Sequence, residues 1–160
     1  MDLVISDANI LIDLAYLDLL DEFFTLSFKM YTTSEVVKEL DNDLIQKLDK
    51  HQIRIIEISD KIVDKSARLT FSKSFSFADV TLLTVTYLND YILLSGERLM
   101  VKWCKSNGLE VHGIIYIVDQ FVIQGVCSEE LAISKLESLM EYNTWLPFDI
   151  CMEYIEKWKK

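Results

Sequence analysis

One proline, four glycines, three cysteines and two histidines are spread over 160 residues. So little proline and glycine leaves no flexible linker or low-complexity tract, and no internal repeat is visible. Cys104, Cys127 and Cys151 lack metal-ligand spacing and read as ordinary reduced thiols in mostly apolar surroundings. His51 and His112 stand on different segments without a ligand partner nearby, so both read as structural. Basic residues are also scarce: 16 against 26 acidic ones give a formal charge of −10. This balance excludes a protein that grips nucleic acid through its whole surface. A polyanion would have to meet a local basic patch or a metal, whereas a basic protein partner suits the charge directly. Apolar runs such as Ile114–Val118 are too short to span a bilayer. Met1-Asp2-Leu3-Val4 has no basic leader, and the expectation is a cytoplasmic protein. What is plentiful is apolar side chain: 51% of residues are hydrophobic, which excludes disorder and implies one domain with a real core.

Short β-branched or aliphatic runs alternate with longer amphipathic ones. Strands are expected at 3–6, 29–32, 53–58, 91–94 and 109–111. Between and after them the pattern predicts helices. One runs from Ile10 to about Leu26, with Leu11, Leu14, Leu17 and Leu20 at three- and four-residue spacing. A second starts after Thr33 or Ser34 and carries Val36, Val37, Glu39 and Leu40. Further helices are expected from 44 to 50, after Ser59 or Asp60, from Ser76 to about Leu88, and from Glu97 to Asn107, closed by Gly108. The last three fall at about 115–124, at 129–142 behind Ser128, and at 148–159 behind Pro147. Strands separated by helices predict an α/β fold, a three-layer α/β/α arrangement around a mainly parallel sheet of about five strands. Ligands of such sheets sit beyond the carboxyl ends of the strands.

Four acids stand where elements begin or end. Asp7 follows Leu3-Val4-Ile5, Asp79 interrupts Phe77-Ala78-Asp79-Val80, Glu97 follows Leu93-Leu94-Ser95-Gly96, and Glu39 ends Val36-Val37-Lys38-Glu39. Taken singly, each has an equally good bland reading: Asp7 and Glu97 as helix starts, Asp79 as a solvent-facing acid, Glu39 as a neighbour of Glu35 one turn earlier. Together they suggest carboxylates gathered at one sheet edge. Such a group repels itself unless a hard divalent cation, Mg²⁺ or Mn²⁺, sits between its members.

In this order the segments resemble the PIN domain, a family of small metal-dependent ribonucleases. Val4-Ile5-Ser6-Asp7-Ala8-Asn9 is similar to its opening strand and first acid. Val36-Val37-Lys38-Glu39-Leu40 resembles the second motif, Ala78-Asp79 with Leu82-Leu83 the third, and Ser95-Gly96-Glu97 the fourth. Gly108 to Gly113 resembles the short closing strand. The resemblance covers about residues 1–118, with additional helices from about 114 to the end of a single domain spanning 1–160. It departs from the family at position 97, where Glu stands for the usual Asp. One more methylene moves the carboxylate outward, which bears on the octahedral geometry that Mg²⁺ demands.

The resemblance implies that Asp7, Asp79 and Glu97 hold one or two Mg²⁺ or Mn²⁺ ions with Glu39 assisting. Asn9 and Ser95 would orient the carboxylates, or else bond only to backbone. It implies hydrolysis of RNA by in-line attack of water on a phosphodiester, leaving a 5′-phosphate. Arg98, Lys102 and Lys105, at i, i+4 and i+7 beside Glu97, are candidate RNA contacts. Lys61, Lys65 and Arg68 repeat that spacing farther off, and either stripe is equally a solvated helix face. The small size suggests, by analogy, the toxin half of a bacterial toxin–antitoxin pair. Candidate partners are therefore RNA, an antitoxin protein and a second copy of the chain, but not a membrane. The alternative is a non-catalytic PIN-like interaction module. A dehalogenase-type phosphatase would need Asp two residues after Asp7, where Asn9 stands. A receiver domain would need an acidic pair at the end of the first strand together with a later phosphoacceptor Asp and a Lys; neither arrangement is apparent.

Overall fold

The computed structural model describes residues 2–160. Its elements are, in chain order, β1 (Asp2–Ser6), α1 (Ala8–Tyr16), α2 (Leu20–Phe23), β2 (Phe28–Thr33), α3 (Ser34–Val37), α4 (Asn42–Lys50), β3 (Arg54–Ile56) and α5 (Asp60–Ser66). They continue with α6 (Phe77–Asn89), β4 (Ile92–Leu94), α7 (Arg98–Ser106), β5 (Val111–His112), α8 (Ile114–Ile123), α9 (Glu129–Tyr142) and α10 (Phe148–Lys159). The five strands form one sheet in the order β3-β2-β1-β4-β5. Every pairing is parallel. The mainly parallel sheet expected from the sequence is thus entirely parallel.

Sequence chemistry places the helix starts. Asp7, Thr33, Asp41, Ser59, Ser76, Glu97 and Ser128 each accept a backbone N–H at the head of the following helix. Each such cap is worth about 1 kcal/mol. One helical group holds α1, α2, α8, α9 and α10, and another holds α3, α5, α6 and α7, with α6 also meeting β2. The sheet's centre is dry: Val4, Ile5, Leu93 and Leu94 are at most 1% exposed. Leu93→Ala would therefore cost about 2–5 kcal/mol through lost burial and a residual cavity.

The strands expected at 53–58 and 109–111 are found at Arg54–Ile56 and Val111–His112, and two expected helices come out differently. The helix expected from Ile10 to Leu26 divides into α1 and α2, because Asp18 turns into the left-handed region at φ 55°. Leu17, Leu19 and Leu20 are all buried, and one straight helix could not bring all three to the core. The helix expected to carry Glu39 stops at Val37. Tight turns from Glu39 N to Val36 O and from Leu40 N to Val37 O follow, and Asp41 then caps α4. The other helices lie within a few residues of expectation, and α9 and α10 coincide with it. Cys104 and Cys151 are buried and Cys127 partly so, all as free thiols. Burial pushes the Cys104 thiol up to about 11, away from nucleophilic use. Among the described residues no helix is long and apolar enough to cross a membrane.

Candidate functional site

The strand order changes direction at β1, with β2 and β3 to one side and β4 and β5 to the other. In an open parallel sheet this switch point leaves a crevice beyond the strand ends. Asp7 stands there, one residue after β1, with its N–H bonded to Leu94 O at 3.1 Å. Its carboxylate is 6% exposed and accepts Ile10 N–H on Oδ1 at 3.0 Å. Burial drives its pKa up, hydrogen bonds from Ser95 and the Ile10 amide pull it back, and the charges of Asp13 and Asp79 push it up further. The result is about 6.

Asp79 sits on the first turn of α6, and its charge reaches Asp7. Its Oδ2 accepts Ser76 N–H at 3.0 Å while Ser76 Oγ accepts Asp79 N–H at 3.1 Å, a reciprocal cap. Glu39 lies in the exposed turn after α3. Partial burial and then the Asp79 charge hold its carboxyl above the ordinary range. The charge of Asp79 therefore reaches both Asp7 and Glu39. Glu35, the rival to Glu39, is neutralised by Lys38 at 2.9 Å. Glu97 behaves differently. Oε1 accepts Leu99 N–H at 3.2 Å and Oε2 accepts Met100 N–H at 2.8 Å, so both oxygens cap α7.

Ser95 is 1% exposed, and its Oγ accepts Glu97 N–H at 3.1 Å while lying beside Asp7. The bond from Glu97 N–H is the local backbone contact expected for it, and its hydroxyl also lies 3.9 Å from Met100 Sδ. Asn9 is exposed. Arg98, Lys102 and Lys105 are exposed along α7, and none of them forms an ion pair among the described residues. Both histidines have acidic and aromatic partners. His51 bonds Asp21 and stacks on Phe24, and His112 pairs with Glu110 and stacks on Tyr116.

Hard oxygen donors without a soft ligand suit Mg²⁺ or Mn²⁺. The fit is chemical and electrostatic for Asp7, Asp79 and Glu39. It is not a finished coordination cage, because among the described residues no group of three or more acid, histidine or cysteine side chains is arranged to hold a metal ion. A capped carboxylate oxygen still keeps one lone pair, so Glu97 remains chemically able to bind a cation.

Sequence reasoning missed Asp13, a 7% exposed carboxylate on α1 whose side chain accepts from Asn143 Nδ2. The signal was a charge among Leu11, Ile12 and Leu14 on an apolar helix. It also missed an acidic cavity of about 340 Å³ beside Glu39, lined by Asp41, Asp43, Leu44, Tyr16 and Tyr142.

The chain is similar to several solved structures. A PilT N-terminus domain protein from Sulfolobus solfataricus P2 aligns with a TM-score of 0.51 and 10% identity, over 75% of this chain and 93% of that one. VapBC2 from Rickettsia felis, solved bound to a DNA fragment from its promoter, gives a TM-score of 0.48 and 14% identity over 69% of this chain and 98% of that one. PAE2754 from Pyrobaculum aerophilum gives 0.47 and 12% over 74% and 96%. At 10% identity the first likeness shows the fold alone. No curated protein matches the sequence. A family model described as PIN domain matches residues 3–160, nearly the whole length, and the chain belongs to the PIN-domain family.

Proposed function

We propose that the chain is a metal-dependent ribonuclease whose site is built on Asp7, Asp79 and Glu39, with Glu97 at its rim. The observation that carries this reading is Asp7: a carboxylate buried at the switch point with other acids as its charged neighbours. Folding tolerates such a group at a cost, and a cation removes that cost. Asp7 and Asp79 would hold a divalent ion, with Glu39 and the free lone pairs of Glu97 completing the oxygen donors. When bound, a hard divalent ion supplies Lewis acidity and positive charge toward a phosphodiester. Ser95, beside Asp7, would help orient its carboxylate, and Ser76 holds Asp79 through the reciprocal cap. Arg98, Lys102 and Lys105 offer uncompensated positive charge along α7, so RNA phosphates meet them on the way to Glu97. Asn9, exposed two residues after Asp7, is placed to orient water or substrate.

The toxin half of a toxin–antitoxin pair is the biological role this reading favours. The acidic cavity beside Glu39 offers a seat for a cationic segment of an inhibitor protein. A second reading is a non-catalytic PIN-like interaction module, favoured by one observation: both oxygens of Glu97 already serve as a helix cap.

Cleavage of labelled structured and single-stranded RNAs, with Mg²⁺, Mn²⁺ or EDTA, separates the two readings. Metal-dependent cutting that disappears in both Asp7→Asn and Asp79→Asn supports the nuclease. Folded, inhibitor-free protein that cuts nothing with either metal leaves the interaction module.

A further inference from the structure

Three side chains of the α9 segment reach across to the far end of α1. Lys135 Nζ donates to Leu17 O at 2.6 Å, satisfying a carbonyl that α1 leaves open at its C-terminus. The Tyr142 ring stacks on Tyr16 with centroids 3.9 Å apart and planes 11° from parallel. Asn143, which ends α9, donates from Nδ2 to Asp13 Oδ2 at 3.4 Å. Its Oδ1 accepts Trp145 N–H at 3.1 Å, which fixes the direction in which the amide faces.

These contacts fall on residues 13–17. The opposite end of the same helix is capped by Asp7, through the bond from Ile10 N–H. At nine residues α1 is a rod of about 13 Å, so tilting one end displaces the other. Asp13 sharpens the dependence. The residue is 7% exposed, and among the described residues no cation lies against it and Asn143 is its side-chain hydrogen-bond donor. Without that amide, Asp13 would have to seek solvent and carry α1 with it.

We propose that Asn143, together with Lys135 and Tyr142, is a positioning device: it clamps the far end of α1 and thereby sets the orientation of the Asp7 carboxylate. The consequence for metal uptake rests on the ribonuclease reading, but the clamp itself does not.

The Ile10 amide reports directly on Asp7. Its hydrogen exchange, followed by ¹⁵N NMR in metal-free protein, should be faster by about fivefold in Asn143→Leu, the scale of one lost hydrogen bond. Lys135→Met and Tyr142→Ala should act in the same direction, and they carry the test should Asn143→Leu fail to fold. Tyr142→Phe keeps the stacked ring and should restore the exchange rate of the unsubstituted chain. Calorimetric titration with Mn²⁺ should show affinity reduced by about threefold wherever Ile10 exchanges faster. Unchanged Ile10 exchange in the three disruptive variants, with only a lowered Tm, overturns the clamp and leaves these contacts as ordinary packing. Failure of the unsubstituted chain to take up Mn²⁺ would strike the ribonuclease reading instead, while Ile10 exchange still decides the clamp.

Discussion

Asp7 and Asp119 are the same residue type at nearly the same burial, 6% and 7% exposed, yet the chain treats them in opposite ways. Asp119, on α8, is surrounded by donors. Lys157 Nζ lies 3.2 Å from both of its oxygens, and Trp158 Nε1 donates to Oδ1 at 2.9 Å. Its charge is answered within the chain, and the answer pins α10 to α8. Asp7 has a backbone amide, a serine and two acidic neighbours. Among the described residues no cation pairs with it. Burial alone therefore does not mark a candidate functional acid; what sets Asp7 apart is burial at the switch point of the sheet with acids rather than a cation beside it.

The largest expected effect is on activity. Asp7→Asn should reduce metal-dependent RNA cleavage by about a hundredfold or more, beyond the usual loss for groups that only support a metal ligand. Asp119→Asn should leave cleavage unaltered, and comparable losses in both would dissolve the contrast.

Stability should change in the opposite sense. The Asp7 carboxyl titrates at about 6 in the folded chain against 3.8 for the free group, so the folded state binds more protons across that interval. Stability falls as pH rises through it, and the full cost, up to about 3 kcal/mol, is present above it. Asp7→Asn keeps an acceptor for Ile10 N–H and lacks the charge. Urea unfolding should show it more stable than the unsubstituted chain by about 1–3 kcal/mol at neutral pH, with the gain fading below about pH 4. Saturating Mn²⁺ should narrow the difference, because it stabilises only the chain that binds it.

Asp119→Asn should cost about 1–2 kcal/mol, a buried charge-assisted bond discounted for the exposure of Lys157. Thermal unfolding would measure it, and a gain on this substitution would mean that the ion pair is not what secures α10. The smallest effect is expected from Lys102→Gln with Lys105→Gln. KM for RNA should rise by about two- to fivefold and the dependence of KM on salt should flatten, with kcat retained. A loss in kcat alone would remove α7 from the substrate path.

The sequence carried the α/β class, the five strands and the capped helix starts, because each depends on local chemistry: periodicity, a Ser or Asp before an apolar run, Gly108 after one. It carried less where tertiary demands overrode the local pattern. The break at Asp18 follows from burying Leu17, Leu19 and Leu20 together, which no window of sequence reveals. The motif selects Glu39 over Glu35; in the structure Glu35 pairs with Lys38, a contact the motif does not reveal. The caps were legible as the bland reading of Asp7 and Glu97, and both cap their helices. What remained hidden was which carboxylates influence one another, since Asp79 reaches Asp7 and Glu39 only through the packing of α6 on α3. The tyrosine stack between Tyr16 and Tyr142 was hidden for the same reason.

The outer strands of the sheet, β3 and β5, are three and two residues long. Edges so short give an incoming chain almost no backbone rail on which to add a strand. Crowding many copies together therefore offers little seed for cross-β stacking, even in a chain that is half hydrophobic. Whatever associates with this protein has to recognise side chains on helices and turns, where a single substitution can change which partner it accepts.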